Sequence, residues 1–354
     1  MRNLHAFCST GDAPWLPAPS AAETSAPGEA SAPSRARAPP RLLGFGEVDH
    51  TLEKHLQEDW WEDLFDEVYL LTDGDVVEDP AITEREVDLL LQILAGHLPT
   101  GACPGSVAGP YHLVDLCCGQ GRHALELLRR WPGGLRVTGV DQSATLIGVA
   151  RERAAAAGAT SAAFHVADAR APGALDAAGT PADAVILMGN SLGYSPQSAD
   201  DSAILRNAAA ALRPGGLLVI DVTNGEYMRQ NFSPRSWEWL DVPAGGQQSA
   251  APGAGRLAVR SRKLSPCGGM LLSREMVICT GHGLIRDKVY AERMYSQADL
   301  DRAAAVHGLV PARPAHFLDG ETSARLGADM GMMASRMVLT YCKAAPGEGG
   351  TGGV

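Results

Sequence analysis

Leu113-Val114-Asp115-Leu116-Cys117-Cys118-Gly119-Gln120-Gly121-Arg122-His123-Ala124 is the stretch that decides the fold. Residues 113–116 read as a buried strand, the glycines as a tight turn, and 122–130 as a helix whose free N–H groups face a ligand. Outward from this loop the chain alternates. Strands are predicted over 135–140, 163–166, 184–188 and 217–222. Helices are predicted over 143–157, closed by Gly158, and over 201–212. Short apolar strands alternating with helices predict an α/β fold, a parallel sheet covered on both faces.

Gly119-x-Gly121-x-x-Ala124 also fits the dinucleotide fingerprint G-x-G-x-x-A, a weak signal alone that keeps an NAD(P)-dependent oxidoreductase open. Three carboxylates point elsewhere. Asp115 lies inside the motif, where it offers a pyrophosphate nothing but suits a cationic group such as an amino acid's ammonium. Asp141 ends strand two, about 20 residues past the loop, where a carboxylate accepts from both ribose hydroxyls. Asp168 follows strand three and is placed to accept from an exocyclic adenine amine. An ammonium, a ribose and an adenine in one row are those of S-adenosylmethionine.

On these residues the chain resembles the class I S-adenosylmethionine-dependent methyltransferases, over roughly 47–343. Loop 115–121 resembles the family's D-x-G-x-G-x-G. Leu212-Arg213-Pro214-Gly215-Gly216-Leu217 resembles the turn before its fifth strand, which dinucleotide dehydrogenases do not require. Cys117 stands where the family usually has its first glycine, a departure that would be strained at a positive φ. The resemblance implies a Rossmann-like seven-stranded sheet with its last strand antiparallel, and cofactor at the carboxyl ends of strands one to four. Cys117, Gly119, Gly121 and Arg122 of the loop, Gln142 and Ala169 beside the carboxylates, and Met188 are the expected cofactor contacts. Gly121-Arg122-His123 and Asn190-Ser191-Leu192-Gly193-Tyr194 resemble bacterial small-molecule methyltransferases in particular. A non-catalytic S-adenosylmethionine-binding protein also stays open, with Cys117 as its clue.

The acceptor side is expected beyond residue 224, where the alternation breaks. Runs 257–264, 270–280 and 284–294 read as antiparallel strands with polar residues at alternate positions, one face staying wet or covering a ligand. Such members insert a small antiparallel sheet after strand five as a substrate cover. Asn190, Tyr194 and Asn224 should border the crevice at the strands' carboxyl ends. Arg235 and Trp237 open the cover, the arginine either clamping a substrate carboxylate or lying on the surface. Methyl transfer is an in-line displacement that needs a base only for a protonated nucleophile. Tyr194 and His123 are the candidates. No metal constellation is evident.

Upstream, Leu52, Leu56, Trp60, Leu64, Val68 and Leu71 recur at helical spacing, predicting one helix over 47–71. Trp61, Phe65 and Tyr69 form a second row, read either as packing or as a lid whose Trp61 and Tyr69 touch substrate. Thr83-Glu84-Arg85-Glu86 reads as a capping box for a helix over 87–98. The Met330–Met337 cluster reads as core.

Composition bounds the rest. Of the 354 residues, 30 are Lys or Arg and 41 Asp or Glu, a net charge of −11. That argues against duplex nucleic acid and anionic membrane as partners and leaves a small-molecule substrate, with the chain a monomer or homodimer. Seven cysteines without framework spacing suggest reduced thiols and a cytoplasmic setting. The first forty residues hold ten alanines and seven prolines, so 1–43 is expected to be a disordered tail. It has no apolar h-region, although a transit peptide stays open. The expected units are then 44–223, helical cap and cofactor core; 224–295, β insertion; 296–343, last helix and strands; and 344–354, a second tail.

Overall fold

The computed structural model describes residues 52–97, 110–195, 197–240, 255–319 and 331–345. The expected tail at 1–43 lies outside them, as does all but the start of that at 344–354.

The core elements are α1 (Pro80–Ala95), β1 (Tyr111–Leu116), α2 (Arg122–Arg130), β2 (Leu135–Asp141), α3 (Ala144–Ala156), β3 (Ala162–Val166), β4 (Ala182–Leu187), α4 (Ser198–Ala211) and β5 (Leu212–Thr223). A second unit holds α5 (Gly225–Asn231), β6 (Arg235–Leu240), β7 (Arg256–Leu264), β8 (Met270–Cys279) and β9 (Gly283–Arg293). The chain then returns through α6 (Gln297–Ala305), β10 (Leu309–Pro311), β11 (His316–Asp319) and β12 (Ser335–Lys343).

The main sheet runs β10-β12-β5-β4-β1-β2-β3. β1 to β5 pair in parallel, and β12 pairs antiparallel to β5. β11 adds an eighth strand: it pairs with the first half of β12 and β10 with the second, so two short strands share the edge position beyond β12. Strand order reverses between β1 and β4, which opens a crevice at their carboxyl ends.

Each strand feeds two cores because consecutive side chains face opposite ways. Val114, Leu116, Val185, Leu187, Leu218 and Ile220 pack with Leu205 of α4 and Leu300 of α6. Leu113, Ile186, Leu217 and Val219 pack with Leu90 of α1, Leu127 of α2 and Ile147 of α3. Among the described residues no helix is long and apolar enough to cross a membrane.

Over the described part of 47–71, residues 52–71, the expected helix is not formed. Leu52–His55 and Tyr69–Thr72 are single helical turns, and the strap between them is irregular. Its carbonyls are taken by side chains rather than by helical N–H groups. Gln142 donates to the Trp61 carbonyl at 3.1 Å and Ser143 to that of Phe65 at 2.8 Å. From β9, Lys288 reaches Asp63 O at 2.9 Å and Arg286 reaches Leu64 O at 2.5 Å. The apolar stripe serves two partners: Leu52 and Trp60 pack on Met270, Leu272 and Ala291 of the second sheet, while Phe65 and Tyr69 turn toward the core.

The capping box at Thr83 is likewise absent. α1 starts earlier, with Asp79 accepting from Ala81 N–H and Pro80 at the first helical position. Thr83 instead accepts from Arg122 at 3.0 Å, and Glu86 is buried. Glu86 receives Arg122, His123 and Arg336, and Arg336 also pairs with Asp221. This ion cluster ties α1 and α2 to β12 and β5.

The second sheet runs β6-β7-β8-β9, wholly antiparallel. It is held to the core by Asp201 of α4, which accepts from Gly193 N–H at 3.1 Å and Tyr295 OH at 2.5 Å and pairs with Arg293 at 3.4 Å. α6 opens with a capping box between Ser296 and Asp299.

Candidate active site

A single pocket occupies the crevice, floored by loops after β1 to β4 and roofed by the strap and the inner face of the second sheet. The loop after β1 is left-handed at Cys117 (φ +59°), Gly119 (+54°) and Gly121 (+76°), so the non-glycine at 117 does adopt the disfavoured region. At Gly119 a side chain would point toward open space, its nearest neighbour being Leu146 Cδ1 at 3.8 Å. Gly121 serves packing instead, since a Cβ there would come within 2.9 Å of the Phe164 ring. Burial pushes the Cys117 and Cys118 thiols up, so neither is a ready thiolate.

Asp141 closes β2 and fixes the loops on either side. Its Oδ2 accepts from Gly119 N–H at 2.9 Å and its Oδ1 from Ser143 N–H at 2.8 Å. Burial raises its pKa against those bonds. Asp168 is held bidentately by Arg170, Oδ1 to Nε at 2.9 Å and Oδ2 to NH2 at 2.7 Å, which lowers its pKa. Arg170 in turn lies on the Trp61 ring, 3.7 Å from its centroid.

Toward the other end, Asn190 sits at φ +62° with its amide fully engaged. Its Oδ1 accepts from Thr223 N–H at 2.8 Å and its Nδ2 donates to Glu292 Oε1 at 2.8 Å. The Tyr194 hydroxyl is 3.4 Å from that same Nδ2. Its ring meets Phe65 edge-on at 5.2 Å, and Phe65 meets Tyr69 at 5.1 Å. From the roof come Glu238, Arg260, Arg262, Glu275, Arg286 and Tyr290, with Met332 and Met333 beyond. Arg260 is saturated by Glu238, by Glu275 at 2.9 Å and by Thr72 O at 2.8 Å, so it ties roof to strap.

Of the residues expected from sequence, Cys117, Gly119, Asp141, Gln142, Asp168, Ala169, Trp61, Tyr69, Asn190 and Tyr194 line this one pocket. Asp115, Gly121, Arg122, Met188, His123, Asn224, Arg235 and Trp237 do not. Asp115 lies in the sheet at 1 % exposure, one oxygen without a partner, and burial raises its pKa to about 7. Arg122 and His123 face Glu86 in the ion cluster. Met188 packs in the core. Burial and the Arg122 charge lower the His123 pKa to about 4, so its neutral ring donates Nε2–H to ionised Glu86 at 2.9 Å and is no base for a substrate. Asn224 caps α5, accepting from Tyr227 N–H at 3.2 Å. Arg235 and Trp237 lie on the outer face of β6, while Glu238 faces the pocket. Burial also holds the Tyr194 hydroxyl far above its ordinary range, so it is a hydrogen-bonding group and not a base. Sequence reasoning missed Asp73, Arg170, Tyr290 and Glu292. For Tyr290 and Glu292 the alternation of polar residues along 284–294 was the available signal.

Residues 113–216 match the model of a methyltransferase domain. Rat glycine N-methyltransferase is 47 % identical over 55 residues, 14 % of this chain and 19 % of that protein, so the match spans about a fifth of that relative's length. Among solved structures, the CcbJ methyltransferase of Streptomyces caelestis superposes with a TM-score of 0.54 at 20 % identity, covering 78 % of this chain and 96 % of that one. The sugar N-methyltransferase KedS8 of Streptoalloteichus gives 0.55 at 18 %, covering 79 % and 94 %. CalS10, an amino pentose methyltransferase of Micromonospora echinaspora with S-adenosylmethionine bound, gives 0.53 at 18 %, covering 80 % and 99 %. These likenesses show the fold, that of S-adenosylmethionine-dependent methyltransferases, with a methyltransferase domain over residues 113–216.

Proposed function

We propose that the protein moves the methyl group of S-adenosylmethionine to an amine nitrogen of a small polar metabolite. The observation that carries this reading is the continuity of one pocket from Gly119, Asp141 and Asp168 to Asn190, Tyr194, Tyr290 and Asp73. The residues fit the cofactor. Gly119 leaves room above the loop where a Cβ would point, Asp141 is preset by two backbone N–H groups, and Asp168, paired with Arg170, borders the far end of the floor. When bound, S-adenosylmethionine supplies a methyl group on a sulfonium, an electrophile with a neutral leaving group.

The chain's own contribution is alignment and exclusion of water, worth on the order of 7–11 kcal/mol for well-oriented reactants. Trp61 and Arg170 close the end at Asp168; Phe65, Met332 and Met333 supply apolar wall. Asp73 lines the pocket among these side chains, and its charge acts on Tyr69, Tyr194, Tyr290 and Arg260, which suits a polar, amine-bearing acceptor. The three tyrosines stay un-ionised through burial and offer hydrogen bonds and ring edges. The rat relative, named for a nitrogen acceptor, supports the same class.

Calorimetry with S-adenosylmethionine, S-adenosylhomocysteine and NADPH tests the cofactor, with binding of the first two expected. Release of S-adenosylhomocysteine with glycine, D-glucosamine, catechol and a thiol as probes tests the acceptor. Binding of NADPH alone would overturn the reading, and transfer only to the phenol would overturn the amine.

A further inference from the structure

Glu292 has no part in the steps above, yet it stands directly behind the acceptor end of the pocket. It is the penultimate residue of β9 and is 1 % exposed. Its Oε1 accepts from Asn190 Nδ2 at 2.8 Å, and its Oε2 is buried without a partner. Asn190 is pinned on its other side by Thr223 N–H and stands 3.4 Å from the Tyr194 hydroxyl. Asn190 and Tyr194 both line the pocket, and Glu292 does not. Any influence of Glu292 on the acceptor therefore passes through those two side chains.

A carboxylate in this place would be a buried charge with no cation facing it, which is costly. Across the strand pair stands Leu271 of β8. From the core come Asn190, Thr223 and the titratable Tyr194, all uncharged. Arg293, next in sequence, turns to Asp201. Two residues back along β9, Tyr290 is also un-ionised. Burial raises the Glu292 pKa to about 8, outweighing the Asn190, Tyr194 and Thr223 side chains, whose hydrogen bonds favour the ionised form. As a neutral acid, Glu292 keeps Oε1 as acceptor for Asn190 and turns the orphaned Oε2 into a donor beside the Tyr194 hydroxyl.

We propose that Glu292 is a positioning residue for methyl transfer, which in its uncharged form fixes Asn190 and Tyr194 against the acceptor and on ionising slackens both. This rests on the methyltransferase reading. It adds a device by which transfer falls in mild alkali without loss of cofactor.

The test compares wild type, Glu292→Ala and Glu292→Gln in the full-length protein, using the amine probe that wild type turns over. Wild-type kcat is expected to fall as pH rises through about 8, with the S-adenosylmethionine Kd flat. Glu292→Ala should lower kcat at neutral pH by about tenfold or more and leave the S-adenosylmethionine Kd within about twofold. Glu292→Gln, which mimics the neutral acid, should restore most of that loss and abolish the alkaline fall. If Gln is as impaired as Ala, or keeps the wild-type alkaline limb, the proposal is overturned. Failure of wild type to methylate any probe would instead remove the reading beneath it, a result seen before either variant is made.

Discussion

The guanidinium of Arg170 lies 3.7 Å from the centroid of the Trp61 ring while it grips the Asp168 carboxylate. A residue of the strap is thus stacked on a residue of the cofactor floor, and Gln142 and Ser143 bind the same strap by its carbonyls. Trp61→Ala should loosen this roof. A cation–π contact is worth about 0.5–2 kcal/mol, which predicts a loss of roughly 2- to 30-fold in S-adenosylmethionine affinity. Calorimetry reads the affinity, and faster amide exchange over 61–72 should accompany it.

Asp141 joins the loops after β1 and β2 through Gly119 and Ser143. Asp141→Ala should weaken S-adenosylmethionine binding at least tenfold, about 1.4 kcal/mol for lost charge-assisted contacts. An unchanged Kd would show that the strand-two carboxylate does not hold the ribose.

Cys117 adopts φ +59° without being glycine. Left-handed backbone costs a non-glycine residue roughly 1–2 kcal/mol, partly offset by the greater unfolded entropy of glycine. Cys117→Gly is therefore expected to raise stability by about 0.5–1 kcal/mol in urea unfolding. A lower midpoint would mean that the Cys117 side chain contributes packing worth more than the strain.

His123 is neutral in the folded protein, with a pKa of about 4 against an ordinary 6.5. The sign follows: below pH 6.5 the unfolded chain takes up a proton that the folded chain does not, so His123 destabilises the fold as pH falls from 6.5 toward 4. At about 1.4 kcal/mol per pH unit this amounts to a few kcal/mol. Glu86, whose pKa is lowered by Arg122 and Arg336, acts in the same direction below its ordinary range. Asp115 and Glu292, with raised values, oppose it, so the readout is a difference. His123→Gln should lose less stability than wild type between pH 7 and pH 5 in urea titrations. Equal losses would show that His123 is protonated in the fold.

The core was legible because its strands are continuous apolar runs broken by turn residues, and because Gly119, Asp141 and Asp168 each follow a strand. What escaped depended on contacts from far along the chain. Leu52, Leu56, Trp60 and Leu64 satisfy helical spacing, yet the carbonyls a helix would use are claimed by Gln142, Ser143, Arg286 and Lys288. Arg235 and Trp237 belong to the second sheet but to its outer face: strand side chains alternate, so Ser236 and Glu238 turn inward and Trp237 is 68 % exposed. Asn224 follows β5 as expected but spends its side chain capping α5. Glu86 looked like a helix-start residue and is a buried counter-ion, because Arg336, 250 positions away, was invisible to local reading.

The hydrogen bonds from Lys288 to Asp63 and from Arg286 to Leu64 span 225 and 222 positions of sequence. A ribosome that has released the strands up to β5 has delivered every floor residue, Gln142 and Ser143 with their hold on the strap included, but not the β9 side chains that tie the strap to the roof. The nascent core can collapse around its local βα units early, since near-neighbour contacts form fastest. The reaction chamber closes only after β9 has emerged. Truncation anywhere before that strand would leave a ligand-binding floor standing open to water, with the aromatic strap exposed as a surface for misassembly.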